Sequence, residues 1–306
     1  MDLAMAALSA AWWVGFVLKD TIPVLQPLYF IPPVLVGAVG VVWLLIRGRR
    51  ARPAISALVA MTAAAASAKV LIGDFSWHGD SSTAPRGTVV RVAHWNTAWG
   101  RIRGADIWTH LASDRADVCV FSEPPLLDFE AGARRLLPGY QTHVGAGMAI
   151  ISRYPLEILG SLVVPHVQSW HVRLTTPDGP LDILGVDLPS APFMDRRAPL
   201  AAIADWVSRH DPAVPLLVIG DFNTPVDSTH LAPLRRMMRP AYELAGRGWP
   251  YSWPMPVPMW TIDQIWTSPL VRVRSHDYRF AVCSDHLREI AEIELLPPEQ
   301  APGSHR

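Results

Sequence analysis

The stretch LLVIGDFNTP, residues Leu216–Pro225, decides the fold of this 306-residue chain. Four large apolar residues open it, as in a strand that is buried in a core. The run ends on Asp221, and Asn223 follows two positions later, so the two side chains point to the same side of an extended chain. A carboxylate and an amide at the end of a core strand predict either a simple turn or a functional site at that edge of the sheet.

Four further apolar runs carry polar side chains at or near their ends. VVRVAHW leads to Asn96, DVCVFS leads to Glu123, WTIDQIW contains Asp263, and FAVCS leads to Asp285 and His286. Each of these residues taken singly is most simply a turn former or a helix cap. Gathered at the mouth of one core, such charges are costly unless a cation compensates them. Oxygen ligands favour a hard cation, which predicts Mg²⁺ rather than zinc.

The pattern of apolar runs predicts an α/β domain with two packed sheets and helices on their outer faces. Several strands follow one another without a helix between them, so simple βαβ repetition is excluded. The predicted strands are Val89–Trp95, Val118–Phe121, Met148–Ile151, Ile158–Val164, His171–Thr175, Leu181–Val186, Val214–Ile219, Ile262–Trp266, Val271–Phe280 and Leu287–Leu295. The predicted helices are Ala105–Asp114, Leu126–Leu137, Ala198–His210 and Thr229–Met238.

Six motifs in this order resemble the endonuclease/exonuclease/phosphatase superfamily, a group that includes deoxyribonucleases, inositol polyphosphate phosphatases and sphingomyelinases. They are Asn96, Glu123, GMAIISRYPL at 147–156, GDFN at 220–223, IDQI at 262–265 and SDH at 284–286, and the resemblance covers roughly residues 89–295. The resemblance implies a four-layer sandwich of two mostly antiparallel sheets flanked by helices. It also implies hydrolysis of a phosphoester with Mg²⁺ or Mn²⁺ as cofactor.

The resemblance also implies the metal ligands. Glu123 would be the principal ligand, helped by Asn96, and Asp285 would lie beside the metal or beside a second cation. A cation on the phosphate oxygens is one of three requirements of the reaction, with an activated water in line and stabilisation of the leaving oxygen.

Catalytic and substrate-binding roles carry over in the same way. Asp221 would position or deprotonate the attacking water, and Asn223 would hold the phosphate. Asp263 would orient and charge-stabilise His286, because a carboxylate partner favours the imidazolium form. His286 would then contact the phosphate or transfer a proton. Which carboxylate acts as the base stays open at this stage, since geometry comes before pKa in that assignment.

Asp187 departs from the family pattern. Family members commonly have a phosphate-binding His or Tyr at this position, whereas an ionised Asp would repel the phosphate unless a cation bridges them or its pKa is raised. Three interpretations stay open: Asp187 is an additional metal ligand, or it is a turn residue while His166 or His171 binds the phosphate, or the site is inactive.

The N-terminal quarter of the chain predicts a membrane region. Residues 1–74 contain three apolar stretches, at about 3–18, 24–46 and 54–72, and each is read as a transmembrane helix. The alternative for the first is a cleaved signal peptide, although it lacks a basic start. The loop RGRRARP, residues 47–53, carries four arginines and is expected to stay cytoplasmic. This topology predicts a multi-pass protein of the cell membrane whose soluble domain is extracytoplasmic.

The boundaries follow from composition. Residues 75–88 read as a linker, 89–296 as the soluble domain and 297–306 as a C-terminal tail. Of 27 basic and 27 acidic residues, 21 and 24 lie beyond residue 74, so the soluble domain lacks the basic excess of broad nucleic-acid binders. The two cysteines, Cys119 and Cys283, sit in apolar runs and are expected to be buried free thiols.

The substrate is left open between a lipid phosphodiester, an envelope phosphoester and a nucleic acid. The loop GWPYSWPMPVPMW, Gly248–Trp260, offers tryptophans that could stack on bases or enter a membrane interface, or that simply pack as a rigid loop. A second hypothesis of another class is a non-catalytic module that binds phosphorylated ligands with the same fold. No protein partner can be inferred.

Overall fold

The computed structural model describes residues 1–77, 84–102, 107–125, 129–145, 147–191 and 193–297. Its helices are α1 (Asp2–Leu18), α2 (Gln26–Tyr29), α3 (Pro33–Arg47), α4 (Pro53–Ala68), α5 (Ile107–Asp114), α6 (Phe129–Leu136), α7 (Arg197–Arg209), α8 (Ala232–Arg235) and α9 (Ala241–Ala245). Its strands are β1 (Val89–Asn96), β2 (Val118–Ser122), β3 (Gln141–Gly145), β4 (Met148–Ser152), β5 (Leu156–Gly160), β6 (Gln168–Thr176), β7 (Gly179–Asp187), β8 (Leu216–Asp221), β9 (Arg239–Pro240), β10 (Asp263–Thr267), β11 (Val271–Arg279) and β12 (Arg288–Leu295).

The strands form two six-stranded sheets, in the orders β11-β12-β1-β2-β4-β3 and β5-β6-β7-β8-β10-β9. The predicted α/β fold with two sheets and flanking helices is confirmed. Both sheets are mixed, because β1 pairs in parallel with β2, and β7 pairs in parallel with β8. The remaining described pairings are antiparallel. Residues 89–296 are called the sandwich domain below.

The main core lies between the two sheets, where inward-facing side chains such as Val120, Ile183 and Ile219 are buried. A second apolar cluster joins α5 and α6 to the outer face of the first sheet, and includes Phe121 and Phe129. A third cluster joins α7 and α8 to the outer face of the second sheet. The result is a helix–sheet–sheet–helix layering, which leaves the strand ends free to carry polar groups.

Register aligns three carboxylates across the second sheet. The parallel pairing of β7 with β8 sets Asp187 opposite Asp221, and the antiparallel pairing of β8 with β10 sets Asp263 opposite Asp221. In the first sheet, Asn96 at the end of β1 lies opposite Ser122 at the end of β2. The polar strand ends that the sequence singled out therefore meet at one edge of the sandwich.

Several elements differ from the sequence prediction. Strands β3 and β9 were not predicted, and β5 ends at Gly160 rather than Val164. The predicted helix Thr229–Met238 is a 3₁₀ turn, Thr229–Leu231, followed by the short α8, because Pro233 restricts its first turn. The first residues of the predicted helices Ala105–Asp114 and Leu126–Leu137 lie outside the described residues. Both cysteines are buried and neither forms a disulfide, as predicted.

The predicted number of three membrane spans is wrong when the helices are judged by their length and hydropathy. Within the described residues, one helix is long and apolar enough, Pro53–Asp74, with 22 residues and a mean hydropathy of 1.8. A second span would require α2 and α3 to act together across a 60° bend. Prolines 32 and 33 cause that break, because proline lacks the N–H that would continue the helix. Helix α1 has only 17 residues. Apolar helices of this length and hydropathy occur in both membrane anchors and signal sequences.

Residues 2–74, called the helical region below, contact the sandwich domain through hydrogen bonds between polar groups. The Asp20 carboxylate accepts hydrogen bonds from Ser228 Oγ, from Thr229 N at 3.0 Å and from Thr229 Oγ1 at 2.5 Å. The Tyr29 hydroxyl donates to Asp227 at 2.5 Å. These domain residues follow the GDFNTP motif directly, so the helical region contacts the segment that leaves the strand end carrying Asp221.

The predicted linker, residues 75–88, begins in contact with the sandwich domain. The backbone of Ser76 exchanges two hydrogen bonds with that of Gly248, at 2.8 and 2.9 Å. Residues 78–83 of this segment, and residues 298–306 of the predicted tail, lie outside the described residues.

Candidate active site

A cleft of about 490 Å³ opens at the edge of the sandwich where β1, β2 and β8 end and β10 begins. Its walls come from the strand ends, from Trp253 and Trp260 in the loop Gly248–Trp260, and from Phe30 in the helical region. The lining residues are Phe30, Asn96, Ala98, Arg101, Glu123, Ser190, Arg196, Asp221, Asn223, Trp253, Trp260, Ile262, Asp285 and His286.

His286 lines this cleft and forms a buried ion pair with Asp263, which lies behind it. His286 Nδ1 lies 2.8 Å from Asp263 Oδ2, and His94 Nδ1 lies 3.3 Å from the other carboxylate oxygen. Burial alone lowers the pKa of His286, but the charges of Asp263, Asp221 and Asp285 outweigh it and raise that pKa to about 9. Burial raises the pKa of Asp263, but the His286 and His94 rings outweigh it, and the net pKa lies below its ordinary value. The imidazolium form of His286 is therefore favoured at neutral pH.

Asp221 is buried and held by two donors. Asn96 Nδ2 donates to Oδ2 at 2.9 Å, and the backbone N–H of Asn223 donates to Oδ1 at 2.8 Å. Burial and the negative charge of Asp263 raise the pKa of Asp221 to about 6, although the His286 charge and the two hydrogen bonds act in the opposite direction. A carboxylate with a pKa close to neutral is suited to accept a proton from water.

Asn223 is fixed in the left-handed backbone region, at φ = 46°. Its side-chain Nδ2 donates to Leu188 O at 2.6 Å, and its backbone carbonyl accepts from Arg196 Nε at 2.9 Å. The segment after β8 is thus tied to the segment after β7, because Arg196 Nη2 also donates to Ala191 O at 3.3 Å.

Glu123 and Asp285 supply carboxylate oxygens on the other side of the cleft. Glu123 has φ = 47° and is half-buried, and burial raises its pKa while the charges of His286 and Arg101 lower it. Asp285 Oδ2 accepts a hydrogen bond from Trp253 Nε1 at 2.9 Å, whereas its Oδ1 is buried and has no hydrogen-bond partner in the described structure. A buried carboxylate oxygen without a donor, next to other carboxylates, fits a hard divalent cation.

A compact group of possible ligands also exists deeper in the cleft. Asp221, Asp263 and His286 each offer one ligand atom, and these atoms lie within 4.8 Å of one another. This buried group contains residues that the sequence assigned to catalysis. The predicted ligands Asn96, Glu123 and Asp285 line the same cleft.

Asp187 lies beside Asp221 at the end of β7 and is only 8% exposed. Burial, followed by the charges of Asp221 and Glu123, raises its pKa well above the ordinary value. The histidines considered as substitutes do not line the cleft: His171 Nε2 lies 3.0 Å from Asp182 in another part of the second sheet, and His166 occupies a turn between β5 and β6.

Three residues of the site were missed from the sequence. His94 is fully buried and contacts Asp263 as well as Ser122 Oγ. Arg196 lines the cleft at 2% exposure, and Arg101 lines its rim. His94 alternates with apolar residues in β1, and the arginines lie outside any motif, so no local pattern indicates them.

A second His/Asp group lies away from this cleft, on β6, β7 and the end of α7. The fully buried Asp182 accepts two hydrogen bonds from Arg173, at 2.7 and 2.8 Å, and lies 3.0 and 2.9 Å from the Nε2 atoms of His171 and His210. The three ligand atoms of the histidines and the aspartate lie close enough to hold a metal. The bidentate guanidinium already neutralises the carboxylate, however, and would repel a cation. This group is an ion-pair network that joins two strands to a helix.

Comparison with known proteins gives a consistent result. Residues 93–286 match the model of the Endonuclease/Exonuclease/phosphatase family. None of the curated proteins that were searched matches the chain. An endonuclease/exonuclease/phosphatase from Bacteroides vulgatus has a similar structure, with a TM-score of 0.55 and 20% identity, over 68% of this chain and 99% of that one.

Two further solved structures share the fold. D. rerio TDP2, complexed with a single-strand DNA product, has a TM-score of 0.56 and 15% identity over 68% of this chain and 99% of its own. The human Nocturnin catalytic domain, with a bound sulfate anion, has a TM-score of 0.54 and 17% identity over 69% of this chain and 96% of its own.

Proposed function

The chain belongs to the endonuclease/exonuclease/phosphatase family and has its hydrolase fold, and from this premise we propose that it is a metal-dependent phosphoesterase. The proposal depends above all on one observation: ligand atoms of Asp221, Asp263 and His286 lie within 4.8 Å of one another, and two of these residues, Asp221 and His286, line an open cleft. Three carboxylates, the imidazolium of His286 and two arginines line the cleft in which a phosphate would bind.

Asn223 and His286 are proposed to hold the phosphate. His286 stays protonated at neutral pH because Asp263 raises its pKa to about 9, so its positive charge offsets the charge of the phosphate oxygens. His94 Nδ1 lies 3.3 Å from the second oxygen of Asp263, and this proximity supports a role for His94 in positioning the Asp263–His286 pair.

Asp221 is proposed as the group that accepts the proton of the attacking water. Asn96 and Asn223 hold its carboxylate in place, and its pKa of about 6 leaves it ionised above neutral pH yet basic enough to take a proton. Glu123, Asn96 and Asp285 are proposed to hold Mg²⁺ or Mn²⁺. When bound, such an ion neutralises phosphate oxygens and lowers the pKa of its water.

The test uses bis-p-nitrophenyl phosphate and the full-length protein. We expect turnover that requires Mg²⁺ or Mn²⁺, is abolished by EDTA and falls by at least about 100-fold in Glu123→Ala, because metal-ion stabilisation supplies several kcal/mol. Glu130→Ala is the matched control, since Glu130 is exposed and pairs only with Arg134 among its described contacts.

Unchanged turnover in Glu123→Ala would contradict the metal assignment. If the wild-type protein binds phosphate but hydrolyses no phosphomonoester, phosphodiester or single-stranded oligonucleotide in a panel, the alternative of a non-catalytic phospholigand-binding module replaces this proposal. Preference for the oligonucleotide would instead support a nuclease, an alternative suggested by the DNA product bound to TDP2.

Asp187 is proposed to be an additional metal ligand rather than a phosphate-binding group. Its buried position beside Asp221 and near Glu123 concentrates negative charge that a cation would relieve. We expect Asp187→His to raise the Mg²⁺ concentration for half-maximal activity by about tenfold, the size of effect seen when metal sites lose supporting groups. A large gain in rate on this substitution would contradict a ligand role.

The helical region is proposed to anchor the enzyme in a membrane. Large apolar side chains such as Leu3, Leu45 and Ile72 are about 80% exposed, which is unusual for a water-facing surface. Asp2 lies 3.5 Å from Arg47, so α1 begins near the arginine-rich loop. The sandwich domain contacts the opposite end, so a cytoplasmic arginine-rich loop would leave this domain on the extracytoplasmic side.

Protease treatment of intact cells checks this topology. We expect the sandwich domain to be cleaved without lysis, because the arginine-rich loop stays cytoplasmic. Cleavage only after lysis would reverse the orientation, and recovery of the full-length chain in the soluble fraction would contradict the anchor itself.

A further inference from the structure

A second cleft lies between the helical region and the sandwich domain. Phe16, Leu28 and Ile31 line it from the helical region, and Val226, Met259 and Trp260 line it from the domain. We propose that this interface cleft binds the hydrocarbon chain of an amphiphilic phosphoester while the active site holds its phosphate. The proposal rests on the proposed phosphoesterase function and names its substrate class.

The two clefts share one thin wall. Tyr29 and Ile31 line the interface cleft, whereas Phe30 between them lines the active site. On the domain side, Trp260 lines both clefts. The next residue, Thr261, lines the interface cleft, and Ile262 lines the active site. A ligand that occupies both would therefore carry its phosphate and its apolar part close together in one molecule.

The interface cleft presents mostly apolar surface. Its charged members are paired with one another: Lys69 lies 2.7 Å from Asp74 and 3.7 Å from Asp227, and Lys19 lies 3.4 Å from Asp227. A hydrocarbon chain would thus meet no unpaired charge among these groups. Phe16 stacks on Trp12 at 5.0 Å between ring centroids, and its 39% exposure leaves a face open to a ligand.

The enclosed space is small, about 80 Å³, so it holds the first part of a chain. Val17 and Leu35, one and two positions after the lining residues Phe16 and Pro33, are also exposed apolar side chains. Phe193 and Val257, which are close in sequence to residues that line the active site, are also exposed apolar side chains. A nucleic acid would instead require a basic excess, which the sandwich domain lacks.

The experiment compares methyl, octyl and hexadecyl p-nitrophenyl phosphate, which share one leaving group, at a fixed mole fraction in detergent micelles with Mg²⁺. For the full-length protein we expect kcat/KM to be at least about tenfold higher for the hexadecyl than for the methyl ester, an effect that burial of two methylene groups supplies. Phe16→Ser and Met259→Ser should each remove most of this preference and leave the methyl ester rate unchanged.

Leu45→Ser is the matched control, because Leu45 is an 81% exposed apolar residue of the helical region near the arginine-rich loop. If the preference reflected only insertion of the helices into the micelle, this variant would lose it as well. Three results would overturn the proposal and leave the phosphoesterase function standing. They are an equal loss of the chain-length preference in Leu45→Ser, an unchanged preference in both cleft variants, and equal rates for the three esters.

Failure to hydrolyse even the methyl ester would contradict the phosphoesterase function instead. In that case, binding of hexadecylphosphocholine, followed by tryptophan fluorescence, decides the role of the cleft. Saturable binding that weakens in Phe16→Ser and Met259→Ser supports chain binding, and equal or absent binding overturns it.

Discussion

Asp221→Asn is expected to lower kcat on bis-p-nitrophenyl phosphate by about 10³-fold, within the range that a lost general base produces. The amide has nearly the shape of the carboxylate, but it cannot accept the proton of the attacking water. Both carboxylate oxygens of Asp221 accept a hydrogen bond, one from Asn96 Nδ2 and one from the Asn223 N–H, so the new NH2 group would face one of these donors.

The fold should survive this substitution. The pKa of Asp221 is raised in the folded state, so folding favours the protonated carboxyl. Its contribution to the free energy of unfolding is therefore fully present below the unfolded pKa of about 3.9 and is lost as the pH rises through about 6. At pH 7.5 without divalent cations, Asp221→Asn removes the cost of burying an ionised carboxylate, and this gain offsets the lost hydrogen bond. We expect the Tm in EDTA to stay within about 3 °C of wild type, or less than about 1 kcal/mol.

Thermal denaturation in EDTA, beside steady-state kinetics with Mg²⁺, separates the two effects. A rate within tenfold of wild type would remove Asp221 from the role of base. A large fall in Tm would show that the lost activity reflects a damaged fold.

Asp182→Asn is expected to have the largest effect on stability and to lower the free energy of unfolding by about 3 kcal/mol. This value is at the lower end of the range for breaking a buried ion pair, because Arg173 is partly exposed. Asp182 accepts from Arg173 and contacts two histidine rings, and the amide offers only one oxygen to these groups. Differential scanning fluorimetry should show a Tm lower by about 6–12 °C, at roughly 2–4 °C per kcal/mol for a domain of this size.

Asp205→Asn is the control for this substitution. Asp205 pairs with Arg209 at 2.6 Å, but both side chains are about two-thirds exposed, so the change should stay within about 0.5 kcal/mol. Equal Tm values for the two variants would show that the Asp182 network does not hold the strands and α7 together.

The pH dependence of the Asp182 effect has a definite sign. Burial raises the pKa of Asp182, but the hydrogen bonds from Arg173, His171 and His210 outweigh it and hold that pKa well below its ordinary value. The stabilisation is therefore complete above the unfolded pKa of about 3.9 and is lost as the pH falls below it. The difference in Tm between wild type and Asp182→Asn should shrink in acid.

The sequence alone determined the fold class and the chemistry of the strand ends. Strand ends are local features: an apolar run of the right length followed by Asp221 or Glu123 is visible without knowledge of any partner. The order of such motifs also indicated the family, and residues 93–286 match its model. The apolar stretches, however, overestimated the number of membrane spans, because α1 is too short and because a stretch of residues does not reveal the bend between two apolar helices.

Only the tertiary structure decided how these residues combine. His94 and His286 flank Asp263 because β1, β10 and the chain after β11 meet at one edge, a contact that depends on sheet register. Arg196 reaches Asn223 from the segment before α7, and Asp20 and Tyr29 seat the helical region beside the active site. Such contacts join residues that are 23 to 209 positions apart. Their geometry arises from packing, whereas sequence patterns report only what neighbours along the chain share.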